Sequence, residues 1–321
     1  MKKLLIMLLL MVIPLVSGCA SGNYQESSTN RPLEDRPIVA ATVFPLADLV
    51  RQLGGREIQV VTLLPAGASP HTFEPTPKEM KAVSQAGLLV SVGAGLDVWG
   101  QKLIKAIGVN VPEVVVGEGL ELLPVGNHRH REEHSDAHHG EHDDHYHDGS
   151  GDPHVWLDPV LVKEEIAPML AEALIKEWPQ LTDLIQSNLL GLQQELTALD
   201  QEYRSALALC PDRKFISFHA TWGYLAHRYE LEEIASVLEY PGQEPSARWL
   251  AELTDLAREN KVEAVMIEPQ FNPRPAELLA EEIEGKVFVL DPLGGEGVEG
   301  RDSYIQLLRY NLAVLKEALG S

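Results

Sequence analysis

LTDLIQSNLLGLQQELTALDQEYRSALAL, residues 181–209, is an uninterrupted amphipathic stretch near the middle of a 321-residue chain. Its apolar residues recur mostly at helical spacing. Pro179 and Pro211 flank it, where a helix can begin or end. At 1.5 Å per residue the stretch predicts a helix of about 40 Å. We expect this linker helix to join two halves of the molecule, and one more core helix is the alternative.

Short apolar runs rich in β-branched residues lie on both sides of this helix, and helical patterns separate them. The first half has runs at 38–43, 58–64, 88–92 and 113–116. The second half has runs at 214–218, 234–238, 262–267 and 287–290. Continuous apolar strands that alternate with helices are typical of parallel sheets covered on both faces. The predicted fold class is α/β, with two lobes that each contain a four-stranded, mainly parallel sheet. The predicted domains are an N-terminal lobe at 37–180, the linker helix at 181–209 and a C-terminal lobe at 210–321.

The N-terminus predicts an export signal. Lys2 and Lys3 precede an apolar run at 4–16 that is too short to span a bilayer comfortably. The small residues that follow lead into Cys19, a pattern similar to the lipobox of bacterial lipoproteins. We therefore expect residues 1–18 to be cleaved, and Cys19 to carry the lipid that anchors the protein outside the cytoplasm, at the cell surface or on the periplasmic side. Residues 19–36 are polar and predict a flexible tether, and an ordinary cleaved signal is the alternative.

Charge and cysteine content narrow the classes of partner and of stabilisation. The formal net charge is -22, which disfavours binding to nucleic acids and other polyanions. Of the two cysteines, Cys210 has no partner if Cys19 is lipidated. We therefore expect no intramolecular disulfide, so that packing alone stabilises the fold.

Nine of the twelve histidines lie in HRHREEHSDAHHGEHDDHYHDGSGDPH, residues 128–154. The part at 128–147 has almost no apolar residues, which predicts a mobile loop that collects metal weakly. Its histidines are His128, His130, His134, His138, His139, His142, His145 and His147. A merely solvated insert is the alternative. We assign only His154, where apolar sequence resumes, to a principal metal site.

Three further positions share the context of His154, a loop beside prolines or the end of a predicted strand. They are His71, His219 and Asp291. In parallel α/β sheets, ligand-binding groups collect beyond the carboxyl ends of the strands. Each half supplies two of the four residues, as a cleft between lobes requires, and imidazole with carboxylate suits four-coordinate Zn²⁺. Asp158, Glu268 and Glu244 are the candidates for holding the imidazole N–H groups. His227, two turns beyond His219, is interpreted as structural.

Several motifs together resemble one family, the zinc/manganese branch of the solute-binding proteins that serve ABC transporters. The motifs are LLPAGASPHTFEPTPKEM (63–80), DPHVWLDP (152–159), FISFHATWGYLAHRYEL (215–231), EPSARWLAELTDLARENKVEAVMIEPQFNP (244–273) and VFVLDPLGG (287–295). The resemblance implies two α/β lobes, a long connecting helix and a metal between the lobes, with ligands at His71, His154, His219 and Asp291. It also implies an extracytoplasmic protein, expected to be a monomer, that delivers metal to a permease coupled to a cytoplasmic ATPase.

The third ligand position indicates the metal. The resemblance implies a glutamate there in manganese-type members, whereas this chain has His219. Nitrogen in place of anionic oxygen favours Zn²⁺ over Mn²⁺, which is the less favoured alternative. The histidine-rich insert also resembles that of zinc-type members. Pro70 departs from the pattern, because some zinc-type members have an acidic residue just before the first histidine.

Single features of the sequence also suggest three other functions. A zinc hydrolase needs an open coordination position, but the chain has no HExxH motif and Asp291 would close that position. The GxGxxG match at 295–300 suggests dinucleotide binding. However, no strand follows it, and its acidic side chains would repel a pyrophosphate, so the stretch is predicted to be an ordinary loop. A surface adhesin or metal-storage lipoprotein, in which the histidine run is the working part, stays an alternative. The sequence therefore predicts a transport protein that catalyses no reaction.

Overall fold

The computed structural model describes residues 35–108, 110–125, 151–238 and 242–320. The predicted signal peptide, Cys19, most of the tether and all eight histidines at 128–147 lie outside the described residues.

Two four-stranded parallel sheets form the framework. The first contains β1 (Ile38–Ala41), β2 (Gln59–Thr62), β3 (Leu88–Ser91) and β4 (Glu113–Val115), in the order β2-β1-β3-β4. The second contains β5 (Lys214–Ser217), β6 (Glu232–Ser236), β7 (Ala264–Ile267) and β8 (Lys286–Val289), in the order β6-β5-β7-β8. The two sheets have the same strand order, and the predicted fold class is confirmed.

One strand begins earlier than predicted. β6 covers Glu232–Ser236 instead of 234–238. Its first residues are acidic, and their side chains do not predict a strand in the sequence. The second of them, Glu233, is accommodated because its carboxylate accepts a hydrogen bond from the Ser217 hydroxyl on the neighbouring strand. The register between β5 and β6 also shifts at Phe215/Ile216.

Helices cover the sheets and connect their strands. In the first half they are α1 (Phe44–Gly54), α2 (Pro77–Gln85), α3 (Val98–Ile107), the single turn α4 (Pro159–Leu161) and α5 (Ala167–Glu177), with a π turn at Val162–Ile166. The long helix α6 (Thr182–Leu207) follows. The second half adds α7 (Gly223–Tyr229), α8 (Ala247–Asn260), α9 (Arg274–Glu282) and α10 (Tyr304–Leu319). None of the helices in the described ranges combines the length and apolarity needed to span a bilayer.

The helix α6 packs against both halves. Its buried face includes Leu192, Leu196, Leu199 and Tyr203, whereas Leu190 is 62% exposed on the opposite side. It contacts α1 and α5 of the first half and α10 of the second. The predicted long helix is therefore present, although the division of the chain into domains at 180/181 and 209/210 stays a prediction.

The two halves also bond directly to each other. Trp156 Nε1 donates to the Pro292 carbonyl at 2.7 Å, and the Tyr304 hydroxyl donates to the Trp156 carbonyl at 2.5 Å. Asp48 in α1 accepts a hydrogen bond at 2.8 Å from the Tyr304 amide, the first residue of α10. Trp156, Tyr304 and the apolar face of α6 belong to one continuous core. The halves are thus joined by packing and hydrogen bonds as well as by the helix.

Candidate metal centre

His71 lies in the loop that follows β2. The loop is turned by hydrogen bonds from the Ala68 amide to the Pro65 carbonyl and from the Thr72 amide to the Ser69 carbonyl. Trp99 Nε1, in α3, donates to the Pro70 carbonyl at 3.1 Å. This bond fixes the residue before His71, so the loop presents its imidazole at the carboxyl edge of the first sheet.

His154 is held by a residue two positions before it. Asp152 Oδ1 lies 2.8 Å from His154 Nδ1 and also accepts the His154 backbone N–H at 2.9 Å. Both side chains are buried. A carboxylate that accepts from Nδ1–H leaves the lone pair on Nε2, which is the state that binds a metal.

His219 follows β5 and has a matching arrangement. Glu268, just beyond β7, places Oε1 2.7 Å from His219 Nδ1, and both side chains are buried. The Thr221 hydroxyl contacts the same imidazole, and the Phe271 ring packs against it at 5.3 Å between centroids. Of the three proposed orienting carboxylates, Glu268 is the one that the structure places on a candidate ligand.

The three imidazoles converge although they come from well-separated parts of the chain. Their ring centroids are 5.5 Å apart for His71 and His154, 5.4 Å for His71 and His219, and 5.4 Å for His154 and His219. One ligand nitrogen from each can be chosen so that all three lie within 4.8 Å of one another. Three neutral nitrogens at such spacing can bind one divalent ion of the zinc type.

The cavity beside the histidines is small, with a volume of about 10 Å³. This is about the space that one water molecule or one ion occupies. Apolar side chains, among them Trp156, Phe271 and Leu293, form part of its wall. Glu268 Oε2 and Gln270 Oε1 also lie at this wall, buried and without a hydrogen-bond partner among the described residues. The cavity therefore suits a single ion.

Asp291, the predicted fourth ligand, is buried two residues beyond β8 and is already engaged. Its Oδ1 accepts the backbone N–H groups of Leu293 at 3.0 Å and Gly294 at 2.9 Å. Its Oδ2 pairs with Arg301 Nη1 at 2.9 Å. Within the described residues, the group of converging ligand atoms consists of the three imidazoles without this carboxylate. The role of Asp291 as a ligand stays a prediction.

Carboxylates lie close to the histidines, and those of Asp152 and Glu268 are buried. Asp152 and Glu268 contact the imidazoles, and Glu233 lies behind them in β6. Burial raises the pKa of Glu233 to about 8, although the hydrogen bond from Ser217 opposes that rise, and the charges of Asp152 and Glu268 increase it further. Asp152 and Glu268 are therefore the carboxylates that can offset the charge of a bound cation, whereas Glu233 keeps its proton at neutral pH.

The other residues singled out in the sequence lie elsewhere. Asp158 caps α4 by accepting from Val160 N, and it forms an ion pair with Arg228. Glu244 is exposed in the loop before α8, and His227 is exposed on α7. The glycine-rich stretch at 295–300 is a loop, in which Glu296 pairs with Arg51 of α1. The contact between Asp152 and His154 was missed, although Asp152 stands beside His154 in the quoted motif.

The family described as zinc-uptake complex component A, periplasmic (ZnuA) matches residues 39–318. The chain belongs to the ZnuA family. The match spans both sheets, the linking helix and all three histidines of the centre, which confirms the resemblance identified in the sequence.

Individual ZnuA-family proteins agree with this assignment. The chain is 31% identical over 309 residues to the high-affinity zinc uptake system protein ZnuA of Bacillus subtilis, covering 95% of this chain and 94% of that protein. It is 28% identical over 321 residues to the zinc-binding lipoprotein AdcA of Streptococcus pneumoniae, covering 99% of this chain but only 61% of AdcA. The chain thus matches nearly the full length of one relative and about three-fifths of the other.

Solved structures of similar proteins show the same fold. A zinc-bound ZnuA with residues 138–173 deleted superposes with a TM-score of 0.75 at 30% identity, covering 89% of this chain and 99% of that one. The laminin-binding protein Lmb of Streptococcus agalactiae, described as a bifunctional protein with adhesin and metal-transporting activity, gives 0.74 at 27% identity, covering 88% and 99%.

Proposed function

We propose that this protein captures Zn²⁺ outside the cytoplasmic membrane and delivers it to an ABC permease for uptake. The observation that carries the proposal is the convergence of His71, His154 and His219 around a cavity of about 10 Å³. The relatives named for zinc binding and zinc uptake support the same metal. Zinc is the cargo of this protein.

The proposed ligands are His71, His154 and His219, with Asp291 as the fourth. Asp152 and Glu268 support this set because each holds the Nδ1 of one ligand and so directs its Nε2 to the ion. Asp291 can join the set when Oδ2 shares or leaves its ion pair with Arg301. Three nitrogens and one oxygen favour Zn²⁺ over Mn²⁺, which prefers oxygen ligands.

Family membership and the N-terminal pattern support a proposal for the location and partners of the protein. We infer that lipidated Cys19 anchors the mature chain outside the cytoplasm, where a monomer meets the permease, which is coupled to a cytoplasmic ATPase. We expect the histidines at 128–147 to bind metal weakly before it reaches the principal centre.

The small cavity disfavours a zinc hydrolase. A cavity of about 10 Å³ is suited to one ion and is much smaller than typical small-molecule sites. The family is described as a component of a zinc-uptake complex, which also indicates transport. We therefore propose that the protein catalyses no reaction.

Competition of Zn²⁺ and Mn²⁺ for the metal-free protein, with metal counted per chain, tests the proposal. We expect one tight zinc site that remains after deletion of residues 128–147 and is lost in His154→Ala and His219→Ala. His227→Ala, an exposed histidine on α7, is the matched control and should bind as wild type. Preference for Mn²⁺ would reverse the metal, and tight binding in His219→Ala would refute the centre.

The similarity to Lmb, which is described as an adhesin, supports a second candidate function, that of a surface adhesin or metal-storage lipoprotein. Storage predicts several comparable weak sites that disappear with residues 128–147, whereas transport predicts one tight site that does not. The same metal count therefore distinguishes storage from transport, and binding of the lipidated protein to laminin-coated surfaces would favour adhesion.

A further inference from the structure

The loop between β8 and α10 is closed by an ion pair at the edge of the metal centre. Arg301 Nη1 donates to Asp291 Oδ2 at 2.9 Å, and the Asp291 side chain is only 6% exposed. The guanidinium carbon lies 4.7 Å from the centroid of the Tyr310 ring. The Arg301 amide donates to the Val298 carbonyl, and its carbonyl accepts from the Gly295 amide. The arginine is therefore held beside Asp291 by contacts other than the ion pair itself.

The two oxygens of Asp291 have different partners. Oδ1 accepts two backbone N–H groups, from Leu293 and Gly294, which fix the turn after Pro292. Oδ2 is engaged by the arginine. If a metal binds Oδ2, this oxygen must either be shared with the Arg301 guanidinium or give up its hydrogen bond from it. The metal and the guanidinium are then two cations beside one carboxylate. Like charges close together in a buried site oppose each other strongly.

We propose that Arg301 competes with Zn²⁺ for Asp291, weakening zinc binding and speeding release. The inference rests on the proposed zinc-binding function and adds to it a residue that sets affinity. A protein that hands its ion to a permease needs binding that can be reversed, and a fixed cation beside the fourth ligand lowers the affinity without altering the three histidines.

The structure provides a matched comparison for Arg301. Arg309, on α10, also pairs with a single carboxylate, that of Glu202 at 2.8 Å, but its side chain is 49% exposed and its partner lies on α6. Arg309→Gln removes the same charge from the same half of the protein without touching Asp291. Arg301→Lys keeps the charge beside Asp291 and loses the planar fork.

The experiment measures the zinc Kd by competition with a chromophoric chelator, and zinc release by stopped flow into excess chelator. For Arg301→Gln we expect the Kd to fall by about tenfold or more, as expected when a nearby like charge is removed from a partly buried site, with slower release. Arg309→Gln and Arg301→Lys should stay near wild type. Arg301→Met, which keeps an apolar stem against Tyr310, is the second charge-free variant if Arg301→Gln does not fold.

A double-mutant cycle tests the route through Asp291. In the Asp291→Asn background, Arg301→Gln should change the Kd by much less than in wild type, because the carboxylate for which the two cations compete is absent. Equal effects in both backgrounds would overturn the inference, as would unchanged or weaker binding in Arg301→Gln, or tightening by Arg301→Lys to the same extent. Failure of wild type itself to bind zinc would instead refute the proposed function.

Discussion

At the scale of single residues, Glu268 does more than fill space beside the histidines. Its Oε1 accepts the Nδ1 proton of His219 at 2.7 Å, and its charge lies in a buried site. We expect Glu268→Gln to raise the zinc Kd by about 10–100-fold, because the neutral amide holds the ring less firmly and no longer offsets the charge of the ion. Chelator competition measures this change.

Glu263→Gln is the control for that substitution, since Glu263 is exposed just before β7 and the same charge is removed. It should bind zinc as wild type does. A Kd for Glu268→Gln within about twofold of wild type would show that the contact is incidental to metal binding.

The residue scale also shows what a sequence can predict about a site. His71, His154 and His219 were identifiable because each lies beside prolines or at the end of a predicted strand, and the fold brings them together. Glu268 could only be one of three candidates, since its contact with His219 depends on the alignment of β5 with β7. The pairing of Asp291 with Arg301 depends on how an irregular loop turns back, which spacing alone does not determine.

At the scale of elements, the start of α10 depends on α1. Asp48 accepts the Tyr304 amide at 2.8 Å from the first residue of that helix and is itself buried. We expect Asp48→Ala to lower the free energy of unfolding by about 1–3 kcal/mol, because it leaves a buried helix N–H without its acceptor. Urea unfolding of the metal-free protein measures this loss.

An exposed aspartate in a helix supplies the comparison. Asp255→Ala, on α8, should change the free energy of unfolding by less than about 0.5 kcal/mol. If Asp48→Ala costs no more than Asp255→Ala, the bond between α1 and α10 contributes nothing to stability.

The pairing of β5 with β6 carries a pH dependence. Burial raises the pKa of Glu233 to about 8 from 4.5, so the unfolded chain loses this proton while the folded chain keeps it. Stability from this group is therefore lost as the pH rises from about 4.5 to about 8. Glu233→Gln removes the titration but retains a polar partner for Ser217, so the variant should gain stability over wild type as the pH rises.

Thermal melts of both proteins with chelator present, from pH 5 to pH 9, measure that difference. Because other titrating groups are shared, they cancel when the two profiles are subtracted. Parallel profiles would mean that Glu233 ionises in the folded protein as readily as in the unfolded chain.

At the scale of the whole molecule, zinc binding and folding are linked. An ion that binds only the folded state stabilises it by about 4 kcal/mol at a free concentration of 1,000 Kd, which raises Tm by about 7 °C for a chain of this size. The shift should be absent in His219→Ala. Scanning calorimetry checks both, and an equal shift in the variant would place the stabilising ion elsewhere.

The architecture at this scale was largely predictable. All eight predicted strands are present, because continuous β-branched runs suit doubly covered parallel sheets, and the linker helix is present because its periodicity continues from Thr182 to Leu207. The start of β6 was misplaced because Glu232 and Glu233 are acidic, and only the tertiary contact with Ser217 accommodates the second. The bonds between Trp156, Pro292 and Tyr304 join distant parts of the chain and had no local signal.

Those bonds between the halves bear on the design of a zinc sensor. Trp156 is fully buried and bonds through both its indole and its carbonyl to the second half, within a core shared by both sheets. A pair of fluorophores placed one on each sheet would therefore report little change in distance when the ion binds. A single environment-sensitive dye on the loop between β8 and α10, beside the Asp291 and Arg301 pair, would give the larger optical signal.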